Sequence, residues 1–373
     1  MLLDDLFIEA KRQLTICNSC RYREGYCPAW PALELRTDLT PGDVSHLANL
    51  CHDCRDCFNA CMYTALHLNP PKIFAALRTQ VYQDYVWPQR IRVFLRGRRG
   101  LGFLAVVTLV VVLALPALLH GEASHNLSRS PYRLLPHWVL VGVVSLPVVW
   151  GIAMTVFATS RCWRDIQGRI ADLGRPIVWA KSLRDGVRLR YMRGGGEECT
   201  YPTEEPSRLR RWLHNYMLSG LLLCLLSTIS AAIEQEFLGI PPPYPVLSVP
   251  VITGTLGSLG AVAGCVGLLW TKRRSDRALT TAGMLRADNG LLFSLLLLSV
   301  TGLLTLALRD TGIYTIILCV HVISVVVYFR LAPYTKCMHF VYRLMSIYKF
   351  RLEQLDSSAA VGKGGSGLPI PLQ

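Results

Sequence analysis

Seven cysteines fall within the first 61 residues, as Cys17, Cys20 and Cys27 and then Cys51, Cys54, Cys57 and Cys61. The second group reads C-x2-C-x2-C-x3-C, the spacing that wraps a short loop around a four-iron cluster. Thiolates two residues apart on a tight loop point to one centre, and the fourth arrives from beyond it. The first group keeps the same frame with Arg23 in its third position, and Pro28 follows Cys27 as proline closes the bacterial cluster-binding run. Where two such runs hold two clusters, the fourth cysteine of each serves the other cluster. On that pattern Cys51, Cys54 and Cys57 with Cys27 make one complete 4Fe-4S site. Cys17, Cys20 and Cys61 make a second site short of one thiolate. It suits a 3Fe-4S cluster, a 4Fe-4S cluster with a non-cysteine ligand, or no cluster. Zinc also favours C-x2-C pairs, but three cysteines at successive x2 spacing with a fourth at x3 argue for iron–sulfur over two structural zinc sites.

Histidines supply the second kind of redox ligand. His214 opens one apolar stretch and His339 closely follows another, so both reach one membrane depth. Two imidazoles from different helices at one depth clamp a b-type haem with no open position. His321 precedes His339 by 18 residues, roughly 27 Å along an uninterrupted helix at 1.5 Å per residue, with Pro333 between them. For His321, haem ligation and a hydrogen bond to a neighbouring helix are equally compatible with the sequence. His137 and Cys224 are the candidates for a partner near the far leaflet, and neither is convincing.

The elements that position these residues are membrane spans. Six apolar stretches approach or exceed the roughly 20 residues that cross a bilayer: Leu101–Leu119, Trp138–Ala158, Leu213–Ile233, Val249–Trp270, Gly290–Leu308 and Ile313–Ala332. The fourth is rich in small residues and is the weakest. Pro116 and Pro147 fall inside spans, where bundled helices tolerate them. The start, MLLDDLFIEAKRQL, has no basic n-region and apolar core of a signal peptide. The expected organisation is a cysteine-bearing domain over 1–87, a membrane domain over 88–352 with a loop at 159–212, and a disordered tail over 353–373. The fold class is mainly α: a ferredoxin-like α-helical iron–sulfur domain followed by a six-helix transmembrane bundle.

Arginine and lysine set the orientation. Arg90–Arg99, the 160–212 loop ending in Arg208, Arg210 and Arg211, the group Lys272–Arg286 and the flank Arg330–Arg351 all fall on the cysteine side. The alternate loops hold few basic residues. Both termini are therefore expected in the cytoplasm. The net charge of +14 reads as loop arginines beside anionic lipid, and nucleic-acid binding is excluded. Thirteen cysteines would suggest disulfides in a small secreted chain, whereas a reducing cytoplasm favours metal.

The segments CNSCRYREGYCPAWPALE, LTPGDVSHLANLCHDCRDCFNAC, LRYMRGGGEECTYPTEEPSRLRRWLHNYMLSGLLLC and the closing H-VISVVVYFRLAPYTKCMH stand in this order. With them the chain resembles the tricarballylate/citrate-utilisation protein B family over nearly its whole length. The resemblance implies a multi-pass protein of the inner (cytoplasmic) membrane that serves an FAD-dependent tricarballylate dehydrogenase. It takes electrons from reduced flavin through iron–sulfur clusters and haem b and passes them to quinone, as an electron-transfer component rather than the substrate-converting subunit. The H-x17-H ending is similar to the last helix of the cytochrome b subunit of respiratory nitrate reductase, in which both histidines bind haem. The further ligand on an earlier helix of that subunit corresponds here to Cys224. Three departures stand out: Arg23 where the family usually has cysteine, His214-Asn215 where it has a His-His pair, and MYTALHLNPPKIF where it has a proline-rich segment ending in His-Glu. A quinone-linked reductase with its own substrate at the incomplete cluster is the alternative function.

Other features carry less. Arg193–Gly196 is a flexible turn without phosphate-loop context. Cys199 reads as structural, Cys162, Cys265 and Cys319 as packing residues, and Cys337 as a neighbour of the haem. Asp53 and Asp56 read as solvated, and no serine–histidine–acid arrangement supports hydrolysis.

Overall fold

The computed structural model describes residues 3–22, 25, 27–63, 68–88, 137–193 and 199–361. Arg23, the apolar stretch Leu101–Leu119, the basic group Arg90–Arg99, most of the Arg193–Gly196 turn and the chain beyond 361 lie outside those residues. The described residues are mainly helical, without a strand, and one isolated bridge joins Cys199 to Ser207.

The head is built from α1 (Leu3–Cys20), α2 (Ala29–Glu34), α3 (Pro41–Leu50), α4 (Asp56–Asn59) and α5 (Pro70–Tyr85). Leu6, Ala10, Leu14 and Cys17 recur every three or four residues along α1, which puts them on one buried face. That face packs on Leu33, Leu47, Leu50, Phe74 and Leu77. The α3 start is locally encoded: Thr40 accepts from the Asp43 amide, Asp43 returns the bond to the Thr40 amide, and Pro41 follows the cap. Asn69 caps α5 by accepting from the Lys72 amide, ahead of Pro70 and Pro71 in the first turn.

Five helices are long and apolar enough to cross a membrane. They are α6 (His137–Asp165), α8 (Leu209–Glu236), α9 (Val249–Arg274), α10 (Ala282–Ala307) and α11 (Tyr314–Leu331). A short helix, α7 (Pro176–Val187), lies in the loop between the first two. In space α8 packs on α9, α9 on α10, α10 on α11 and α11 on α6. The closest pair is α8 with α9. A Cβ on Gly257 would stand 2.7 Å from the Gly220 carbonyl oxygen and 2.8 Å from the Cys224 amide. In lipid, where tails are as apolar as leucine, such backbone-to-backbone approach is what holds helices together. Large apolar side chains such as Leu146, Val149, Ile152 and Leu256 point outward, as a lipid-facing surface requires.

The chain breaks from helix at Pro333, passes two 3₁₀ turns and continues as α12 (His339–Val361). Segment 353–361, expected as the start of a disordered tail, is therefore helical. This helix joins the membrane to the head. Tyr342 is fully buried between Tyr82 and Tyr85, with ring centroids 4.7 and 5.2 Å away. Tyr85 in turn donates to Asp165 at the end of α6, and Arg36 of the head pairs with Glu353 of α12 at 2.8 Å.

Candidate functional site

The loop between α3 and α4 carries Cys51, Cys54 and Cys57, all buried. Asp53 and Arg55 take left-handed backbone conformations, with φ of 55° and 70°. Those reversals curl the loop tightly around its cysteines. Cys27 comes close to this loop: burial pushes its thiol well up, and nearby Cys51 and Asp56 push it further. Burial likewise raises Cys54, with Cys27 and Cys57 adding to it. Thiols raised by burial in this way do not ionise unaided; a cationic centre that takes thiolate ligands removes the penalty. Cys27, Cys51, Cys54 and Cys57 are the donor set from which the sequence expects a 4Fe-4S cluster. Among the described residues, however, no three His, Cys, Asp or Glu side chains close to metal-binding geometry. Cys17, Cys20 and Cys61 line a separate concavity with Tyr22 and Tyr63, and Cys20 is exposed. The structure thus brings Cys27 to Cys51, Cys54 and Cys57, and Cys61 to Cys17 and Cys20.

Three arginines from three elements grip the loop by its carbonyl groups. Arg78 of α5 donates to Ala48 at 2.6 Å and Cys51 at 3.1 Å. Arg210 of α8 donates to Asp53 at 2.6 Å and His52 at 3.0 Å. Arg343 of α12 donates to Asn49 at 3.3 Å and Cys51 at 3.0 Å. The segment before α8 covers the loop. Thr200 donates to Asp56 from its amide at 2.8 Å, and its hydroxyl is shared with Asp56 and the Cys54 carbonyl. Cys199 donates to that carbonyl too, at 3.4 Å. The Tyr201 ring lies between the guanidinium groups of Arg55 and Arg210, 4.6 and 4.5 Å from its centroid. Asp56, expected as solvated, is buried because it anchors this cover. Arg210 and Arg343, expected as basic residues flanking the spans, hold the loop backbone instead. The available signal was their spacing: each stands four residues from a candidate haem histidine, on the same helix face.

His339 Nδ1 donates to the Lys336 carbonyl at 2.6 Å. That bond fixes the tautomer and leaves Nε2 free to ligate. Burial holds His339 well below the ordinary histidine range, and Arg343, Lys336 and His214 lie close enough to push it further. His214 Nδ1 is buried without a hydrogen-bond partner. His214 and His339 thus share one neighbourhood with Arg343 and Lys336. His321 is engaged elsewhere: Thr301 Oγ1 of α10 is 2.9 Å from its Nδ1, and Gly302 leaves room for its ring. His137 pairs with Glu236 at 2.8 Å at the opposite end of α8. Cys224 turns to α9, 3.5 Å from Ser258 Oγ. Cys337 sits 3.2 Å from the Tyr328 hydroxyl. Asp288 is held between Lys272, at 2.5 Å, and Lys336.

A helical head with two cysteine groups, joined to helices long and apolar enough to cross a membrane, defines a membrane protein with an iron–sulfur domain. The comparisons with known proteins agree. The profile of the citrate utilization protein B family matches residues 92–360, and that of its Fer4-like domain matches residues 10–84. The chain belongs to the citrate utilization protein B family. It is 34 % identical over 369 residues to Citrate utilization protein B of Escherichia coli, covering 94 % of this chain and 96 % of that one. No solved structure matches.

Proposed function

We propose that the protein is a membrane electron carrier: it accepts electrons from a reduced FAD-dependent dehydrogenase of the tricarballylate type and delivers them to quinone. It lies in the cytoplasmic membrane as a multi-pass protein with both termini in the cytoplasm, as the arginine distribution indicates. The observation that carries the reading is the junction at residues 49–53. Arg210 and Arg343 donate to this backbone and share their helices with His214 and His339. One-electron chemistry would be supplied by an iron–sulfur cluster at each cysteine group and by haem b at the histidine pair.

The residues of the chain have separate tasks in this reading. Cys27, Cys51, Cys54 and Cys57 hold the complete cluster; Cys17, Cys20 and Cys61 hold the second, 3Fe-4S or 4Fe-4S. Thr200, Cys199 and Tyr201 keep water from the first site. His214 and His339 hold the haem, with the His339 ring aimed by the Lys336 carbonyl. A reduced flavoprotein dehydrogenase added anaerobically is expected to reduce haem and clusters, and a soluble quinone to reoxidise them. Failure of the haem to reoxidise with quinone would refute the carrier role. The alternative, a reductase with its own substrate, draws on the exposed Cys20 beside an open concavity; turnover without a flavoprotein would favour it.

A further inference from the structure

The arginines around residues 48–53 meet the loop through backbone carbonyls rather than through carboxylates. Among the described residues no carboxylate lies at ion-pair distance from Arg78, Arg210 or Arg343; Asp53 is near enough to favour the charge of Arg210, and Asp288 is already shared by Lys272 and Lys336. Backbone carbonyls satisfy guanidinium hydrogen bonds but supply no net charge. A buried cation without a counter-charge is costly, so this region suits groups that bring negative charge. A four-thiolate cluster and haem propionates both do so.

Two of these arginines differ from the third in what else they touch. Arg210 lies one helical turn before His214 on α8, and Arg343 one turn after His339 on α12. Residues four apart on a helix share a face. Arg210 reaches the carbonyls of His52 and Asp53, Arg343 those of Asn49 and Cys51, and each shares its helix face with a histidine. Arg210 also stands 3.7 Å from Cys199 Sγ and stacks on Tyr201, which locks its rotamer.

We infer that Arg210 and Arg343 are positioning residues that tie the two proposed redox sites together, each spanning from a haem-ligand helix to the cluster loop. The inference rests on the carrier reading given above. Their two positive charges are shared by both sites, so each favours the reduced state of cluster and haem alike. They also set the separation of the two centres through direct bonds rather than through general packing.

The test is potentiometric EPR and optical titration of the full chain in detergent, comparing wild type with Arg210→Gln and Arg343→Gln. Each variant is expected to shift the reduced-to-oxidised ratio of the Cys27/Cys51/Cys54/Cys57 cluster and of the haem toward oxidised. The expected size is on the order of tenfold, or about 59 mV for a one-electron couple. The cluster of Cys17, Cys20 and Cys61 is expected to keep its potential, as is every centre in Arg175→Gln, whose partner is the exposed Asp356. Unchanged potentials in both glutamine variants would overturn the inference while leaving the carrier reading intact. Wild type that binds no haem or no four-iron cluster would remove the carrier reading and the inference together. If the glutamine variants do not assemble, Arg210→Lys and Arg343→Lys decide. Reduced-to-oxidised ratios within threefold of wild type at both centres support the shared-charge role, and a shift in the cluster alone overturns it.

Discussion

At the scale of single residues, Arg210 and Arg343 reach from the helices of His214 and His339 to the backbone of the cysteine loop. A C-x2-C-x2-C-x3-C run is readable because thiolate geometry demands it. An arginine near a span reports topology whether it lies in water or is buried, so Arg210 and Arg343 were hidden among their neighbours. Asp56 was misread for a related reason: its partner, the Thr200 amide, lies far away in sequence. The histidines give the sharpest residue-level expectation. His339→Ala and His214→Ala are each expected to abolish low-spin haem while leaving cluster EPR signals in place. His321→Ala is expected to keep the haem, since its ring is held by Thr301. Pyridine haemochrome assay with EPR reads both; retention of haem in His339→Ala would contradict the assignment.

At the scale of elements, the weakest span in the sequence proved to be the most closely packed. The expected span Val249–Trp270 is weak in sequence because its small residues add little hydropathy, yet Gly257 and Gly264 are where α8 meets its backbone. Gly257→Leu would drive a side chain into the Gly220 carbonyl, a clash that overpacking data put at about 1–3 kcal/mol. A lowered thermal midpoint in detergent is expected, and an unchanged midpoint would show that the two helices separate freely. The α3–α12 contact carries a pH dependence. His46 is fully buried, with neither ring nitrogen hydrogen-bonded, and it faces Glu353 of α12 at 3.8 Å with Arg36 and Lys349 nearby. Burial, then Arg36 and Lys349, hold it well below its ordinary value of 6.5. The folded state therefore binds this proton less readily than the unfolded chain. Its contribution is full above about pH 6.5 and is lost as pH falls below that. Thermal stability is expected to fall between about pH 7 and about pH 5, less steeply in His46→Met. Equal slopes in the two proteins would exclude His46 as a source. The helix of 353–361 escaped the sequence reading because its anchors, such as Arg36 for Glu353, come from the head.

At the scale of the whole molecule, the head is bound to the membrane helices through the surroundings of its own cysteine loop. Arg210 and Arg343 enter from the membrane side, Arg78 from the head, and the Tyr82–Tyr342–Tyr85 stack closes the joint. Alternating apolar and basic segments made a membrane protein with a metal-bearing head legible from sequence. The joint itself was not, since it depends on contacts between residues up to about three hundred positions apart, such as Arg343 with Cys51. The central claim, that one chain carries both clusters and haem, is tested most directly by metal and haem stoichiometry with low-temperature EPR on anaerobically purified protein. The account predicts a reduced four-iron signal from the Cys27/Cys51/Cys54/Cys57 site together with one low-spin bis-histidine haem. Zinc in place of iron, or iron without haem, would contradict it.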